Sequence, residues 1–182
     1  MRLALSGFEA ATRYRAVEGE PKFLAVYELG DMGVLETPEY QAIKSEPSAE
    51  TKRMLSNVRG FTRYTCEQIS DSGDPGRSGE YLAVVAFAVP QEDLEQFDDW
   101  YETEHAAMLL KADDWLRVRR YSVRSGEGGD WNRLALHELA SLEVMESPER
   151  AAARKGPKRE ALVDRPWFSR SGRWQYQVIT RA

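Results

Sequence analysis

Cys66 is the only cysteine in the sequence, so no disulfide can close within the chain and no cysteine cluster can bind a metal. A reducing, cytoplasmic compartment is the expected setting for such a chain. His105 and His137 are the only histidines. They form no H-x-x-x-H pair and have no clustered carboxylates around them, so a zinc site is not expected. No apolar run approaches the ~18 residues of a membrane span, and no membrane contact is expected. The opening MRLALSGFE is too short in its apolar part to be a secretion signal. Basic residues number 25 against 30 acidic ones, a net charge of −5, which is the wrong sign for nonspecific nucleic-acid binding. A dinucleotide fingerprint, a phosphate loop and a G-x-S-x-G nucleophile elbow are all missing.

What the chain does have is one piece of text written twice. Phe23 to Glu39 reads FLAVYELGDMGVLETPE and Arg133 to Glu149 reads RLALHELASLEVMESPE. Tyr27 and His137, Val34 and Val144, and Pro38 and Pro148 each stand 110 residues apart. The match continues upstream, where Arg13-Tyr14 answers Arg120-Tyr121, and downstream, where Arg63 and Ile69 answer Arg173 and Ile179. Carried to the start, it sets Met1 against Met108. The second copy has a further strand and helix before that point, and the first copy has none. An internal repeat of this kind decides architecture ahead of any local pattern.

The second copy is the clearer one. Tyr81 to Val89 is apolar throughout and predicts a central strand buried on both faces. After Pro90, a helical period runs from Glu92 to about Ala112, with Leu94, Phe97, Tyr101, His105, Met108 and Leu109 in one stripe. Strands follow at 115–124 and 133–139, the first with Trp115, Arg117, Arg119 and Tyr121 on one side and Leu116, Val118 and Arg120 on the other. Ser147-Pro148-Glu149 marks a helix start, and Arg173 to Thr180 is the last strand. The order strand, helix, strand, strand, helix, strand is the ferredoxin-like arrangement. The expected fold is α+β: tandem ferredoxin-like repeats, the first lacking its N-terminal strand and helix. Residues 1–72 form the incomplete repeat, 73–79 a polar linker and 80–182 the complete repeat. The gap is explained by a misplaced start, by a strand from elsewhere, or by decay of the first copy into a scaffold.

The stretch FDDWYETEHAAMLLKADDWLRVRRY resembles the EthD-like family of the dimeric α/β-barrel superfamily. The W-Y-x-x-E-H pattern falls on Trp100, Tyr101, Glu104 and His105, followed by Arg120-Tyr121 at a strand end. Leu134 to Leu139 and Ser147-Pro148 are also similar to that group. The resemblance implies two units packed sheet to sheet, and a homodimer as the expected assembly. It implies a small cofactor-independent enzyme of isomerase, decarboxylase, cyclase or monooxygenase type, acting on an aromatic, lactone or polyketide-like small molecule. No cofactor is expected. The alternatives are a haem or small-ligand binding protein, with His105 or His137 as axial ligand, and a non-catalytic dimerisation module.

His105, on the buried stripe one turn from Tyr101, is the candidate for moving a proton. Its alternative role is that of a core histidine. Tyr101 and His137 complete the candidate catalytic set. Trp100, Arg119, Arg120, Tyr121 and Tyr27 are the candidate substrate-binding residues. One of the two adjacent arginines faces the interior and needs an acidic partner or an anionic ligand. Glu104 is expected to be solvated or paired with a strand arginine, and the basic run Arg150 to Arg159 to be a solvated helix end.

Overall fold

A computed structural model describes residues 4–58 and 60–182; Met1 lies outside them. The elements in order are β1 (Phe8–Ala16), β2 (Phe23–Leu29), α1 (Pro38–Ser45), α2 (Ala49–Asn57), β3 (Arg63–Gly73) and β4 (Tyr81–Phe87). There follow α3 (Leu94–Trp100), a π-helical turn (Tyr101–Ala106), α4 (Ala107–Leu109), β5 (Trp115–Glu127), β6 (Arg133–Leu139), α5 (Pro148–Ala153), α6 (Pro157–Val163) and β7 (Gly172–Arg181).

The local chemistry explains these elements. Thr37 and Ser147 cap α1 and α5, each side-chain oxygen accepting from the third backbone N–H beyond it, and a proline follows each cap where no N–H is needed. A 3-10 turn precedes each cap, at Met32–Glu36 and Leu142–Glu146, closed at its start by Asp31 or Ser141. The corresponding elements thus recur at the spacing of the repeated text.

The strands form one mixed α+β architecture around a seven-stranded antiparallel sheet of order β2-β1-β7-β4-β6-β5-β3. β4 lies in the middle and is buried on both faces, as its unbroken apolar run predicts. The sheet is curled. Arg119 of β5 donates to Glu28 of β2 at 2.7 Å although four strands lie between them in the sheet order. At ~4.8 Å per strand a flat sheet would hold them about 24 Å apart.

The curl gives the sheet two unlike faces. Its inner face packs Tyr14, Leu82, Leu136 and Tyr176 around the Arg119 ion pairs. Its outer face carries the helices of the C-terminal half and the main core, including Phe87, Phe97, Trp100, Leu109, Val118, Leu139 and Leu162. The N-terminal half has a much smaller core of Phe8, Val34 and Tyr40, and α2 buries no residue.

Two sequence expectations need correction. Trp115 does not share a face with Arg117, Arg119 and Tyr121. A register shift between Trp115 and Arg117 interrupts the alternation, so Trp115 joins Val118 and Arg120 on the helix side. The stretch 92–112 is not one α-helix either, because the π turn inserts wider spacing between Trp100 and Ala107.

Arg119 carries the curl, and its side chain is only 4 % exposed. Glu138 faces it at 3.0 Å and is itself 11 % exposed. Removing the cation leaves the buried Glu138 carboxylate with only Arg117, at 4.0 Å. Arg119→Ala should therefore cost ~3–5 kcal/mol in a urea titration, whereas Arg119→Met combined with Glu138→Gln should recover most of the loss.

Candidate active site

A cavity of about 560 Å³ opens between the outer face of the sheet and the helices of the C-terminal half. Tyr101 and His105 reach it from the π turn, Trp100 from the end of α3, and His137 from β6. Ala83, Val85 and Phe87 of β4 and Leu109 and Phe168 supply apolar wall. Glu18, Gly19 and Glu20, at the tip of the β1–β2 hairpin, and Arg150, Arg154, Arg159 and Arg173 are also part of the lining.

The polar groups at the centre have a fixed direction. Trp115 Nε1 donates to His137 Nδ1 at 3.1 Å, and an indole nitrogen has no other role. In the neutral imidazole the proton must then sit on Nε2, which lies 2.8 Å from the Tyr101 hydroxyl oxygen. Nε2 donates, Tyr101 accepts, and the hydroxyl hydrogen of Tyr101 has no acceptor among the described residues. His137 is fully enclosed, and burial pushes its pKa down to about 3, helped by His105, Arg120 and Arg173. Burial likewise raises the Tyr101 phenol well above its ordinary value, so it stays a donor.

His105 is oriented the opposite way. Its Nδ1 is 3.3 Å from the carbonyl oxygen of Ala153, which can only accept. Nδ1 therefore carries the hydrogen and Nε2 keeps a free lone pair. The ring packs on Trp100 with centroids 4.8 Å apart and against the edge of Tyr101 at 5.0 Å. Burial lowers its pKa to about 4; the Ala153 bond opposes this, and Arg159, Arg173 and Arg150 reinforce it. At neutral pH it is an uncharged base.

The predicted site residues separate into two groups. His105, Tyr101, His137 and Trp100 line one cavity. Arg120 lies behind it, with its guanidinium 4.7 Å from the Tyr101 ring centre, paired with Asp98 and with Glu102 at 3.4 Å. Arg119 and Tyr121 belong to the inner face of the curl, where the Tyr121 hydroxyl donates to Gln68 at 3.3 Å. Tyr27 is in the N-terminal half, edge-on to Phe8 at 6.0 Å.

Glu104 is neither solvated nor paired with a strand arginine. It is buried, and its two oxygens accept from the backbone N–H groups of Lys158 and Arg159, each at 3.1 Å. It thereby caps α6 from a distance. Gly156 precedes that helix because a Cβ there would fall 2.2 Å from Glu104 Oε1. Part of the basic run Arg150 to Arg159 faces the cavity instead of bulk solvent. Trp115 and these arginines were not singled out as site residues in the sequence. The one available signal was the density of arginine ahead of a helix start at Pro157.

No family model and no curated relative matches the chain. Solved structures do. An anthrone oxidase-like protein superposes with a TM-score of 0.69 at 16% identity, over 98% of this chain and 79% of that one. A provisionally assigned monooxygenase of Fusobacterium nucleatum gives 0.57 at 9%, over 97% and 78%. Another from Lactobacillus acidophilus gives 0.55 at 11%, over 98% and 80%. At such identities the likeness is one of fold alone.

The two histidines fix how stability follows pH. Both are held below their ordinary 6.5, so below that pH the unfolded chain binds more protons than the folded one. Their contribution is whole above pH 6.5 and is lost as pH falls, toward 4 for His105 and toward 3 for His137. A His137→Gln variant should melt lower than the parent at pH 7, but its melting temperature should fall less between pH 7 and pH 5. Glu104→Ala should cost ~1–2 kcal/mol by uncapping α6, measured by chemical unfolding.

Proposed function

We propose that this protein is a cofactor-independent enzyme of the monooxygenase type, acting on an enolisable aromatic or polyketide-like small molecule. The reading includes two tandem ferredoxin-like units of EthD-like kind: an incomplete one over 1–72, a linker over 73–79 and a complete one over 80–182. The recurrence of caps and 3-10 turns at one spacing supports the tandem arrangement. So does the way β1 pairs with β7 and β3 with β5, which exchanges edges between the two units.

The observation that carries the chemistry is the pairing of a free base with a free donor across one cavity. His105 Nε2 has an unshared lone pair, and Tyr101 has an uncommitted O–H. A ring carbon acidified by a neighbouring carbonyl would lose its proton to His105, and the Tyr101 hydroxyl would stabilise the developing enolate oxygen. The Trp115–His137 pair holds that hydroxyl in place from behind. The electron-rich enolate then reduces dioxygen without further help: a methylene group and O2 become a carbonyl and water. Phe87, Leu109, Met145 and Phe168 make walls in which such an anion is shielded from bulk water. The haem alternative is weaker, because both His137 nitrogens are already bonded and only His105 Nε2 is open to a metal.

Oxygen consumption tests the reading. With anthrone as probe, an oxygen electrode should record uptake of one O2 per molecule oxidised. His105→Gln and Tyr101→Phe should each lower kcat by roughly 10²-fold or more; Tyr101→Phe also leaves the buried His137 N–H without an acceptor and should cost ~1–3 kcal/mol of stability, so rates are compared at a temperature where each variant is fully folded. Uptake no faster than the uncatalysed background across a set of anthrones and hydroxynaphthoquinols would end the proposal. So would full activity in both variants.

A further inference from the structure

The mouth of the cavity holds four arginines: Arg150 of α5, Arg154 just after it, Arg159 of α6 and Arg173 of β7. Among the described residues no carboxylate lies within ion-pair distance of Arg154, Arg159 or Arg173. Arg150 reaches only Glu146, at 3.8 Å, which is almost wholly solvated. These arginines are held by neutral groups instead. Arg150 donates to the carbonyl of Met145, Arg159 to that of Arg154 at 3.0 Å, and Arg173 to the Ser171 hydroxyl at 3.0 Å. The arginines that project from β5 and β6 are paired by contrast: Arg117 with Asp71, Arg119 with Glu28 and Glu138, Arg120 and Arg133 with Asp98, and Arg124 with Glu67. What sets these four apart is that they gather around one cavity, in a protein whose net charge is −5.

The opposing charges do not cancel them. Glu18 and Glu20 line the same cavity, and Glu20 is engaged by the backbone N–H of Lys22 at 2.9 Å. Four arginines against two glutamates leave an excess of two positive charges, with both histidines neutral. A second feature points to a ligand. The Trp100 indole N–H is buried without an acceptor, although the ring lines the cavity and is 2 % exposed.

We propose that the substrate is an aromatic acid, whose anionic group seats against Arg154 and Arg173 at the mouth while its ring lies on Trp100 between Tyr101 and His105. This deepens the function proposed above and rests on it for the inner half of the site. The anion also changes the base. Arg159, Arg173 and Arg150 are among the causes that hold His105 down, and a carboxylate that neutralises them raises its proton affinity. The substrate thus strengthens the group that deprotonates it.

Binding is measured separately from turnover. Tryptophan fluorescence titrations would compare anthraquinone-2-carboxylate and anthraquinone-2-sulfonate with neutral 2-methylanthraquinone, at low and at high salt. The acids should bind about tenfold tighter than the neutral ring at low salt, and the advantage should shrink at high salt. The comparison of carboxylate with sulfonate separates a site shaped for one acid from one that reads charge alone. The Arg154→Gln, Arg173→Gln double variant should lose the preference without weakening the neutral ligand. The Arg154→Lys, Arg173→Lys variant should keep most of it. Both arginines are exposed, so neither variant endangers the fold. Equal affinity for acid and neutral ring, or a preference that survives the glutamine variant, would overturn the proposal. A charge preference in a protein that consumes no oxygen would sustain this inference and remove only the oxygenase chemistry.

Discussion

A single buried guanidinium ties together strands from opposite sides of the curled sheet. Arg119 lies between Glu28 of β2 and Glu138 of β6, joining strands that a flat sheet would hold far apart. Arginine suits the position because its planar fork can serve two carboxylates from different directions at once, and it cannot shed its charge. Burial works against the cation, yet Tyr121, Glu28 and Glu138 together hold its pKa above the ordinary arginine value. This network and Tyr14, Leu82, Leu136 and Tyr176 fill the core of the inner face. The helices must cover the outer face, and the cavity forms where their cover is incomplete.

The centre of that cavity transmits a hydrogen-bond direction from the core to the opening. Trp115 can only donate, so His137 must accept at Nδ1 and donate at Nε2, and Tyr101 must accept and turn its own hydrogen outward. The register shift in β5 makes the chain possible by swinging Trp115 onto the helix side. The π turn makes its other end possible. Tyr101 and His105 both emerge from Tyr101–Ala106 and meet edge to face at 5.0 Å. Two local departures from regular geometry thus meet at one site, and such departures persist where the surrounding structure over-determines them.

How much of this the sequence discloses depends on whether a pattern or an irregularity carries the information. The run Tyr81 to Val89 was legible as a doubly buried strand because burial on both faces leaves no polar residue behind. The cap at Ser147 was legible because a hydroxyl followed by proline has a local meaning. His105, Tyr101 and His137 were legible as candidates because buried titratable side chains are scarce. Trp115 was not, because strand alternation assumes an unbroken register. Glu104 was not, since its partners are backbone N–H groups more than fifty residues away, which no side-chain pattern records. The arginines read as an ordinary solvated helix end, because charge on a sequence carries no sign of which face it will take.

The electrostatics of the site favour a charged guest over an uncharged one. Cations around a histidine make it a poorer base, since the proton it accepts adds charge where charge already accumulates. A site built for a neutral substrate would do better without Arg150, Arg154, Arg159 and Arg173 around its base. Their cost is removed if the guest brings its own negative charge: the cations then attract it, orient it and lose their hold on the imidazole in the same event. Arg120 is different, because Asp98 and Glu102 already balance it and its role is to lie behind Tyr101. The contrast between one fully balanced arginine behind the site and four before it that two glutamates only partly offset is what gives the cavity its polarity.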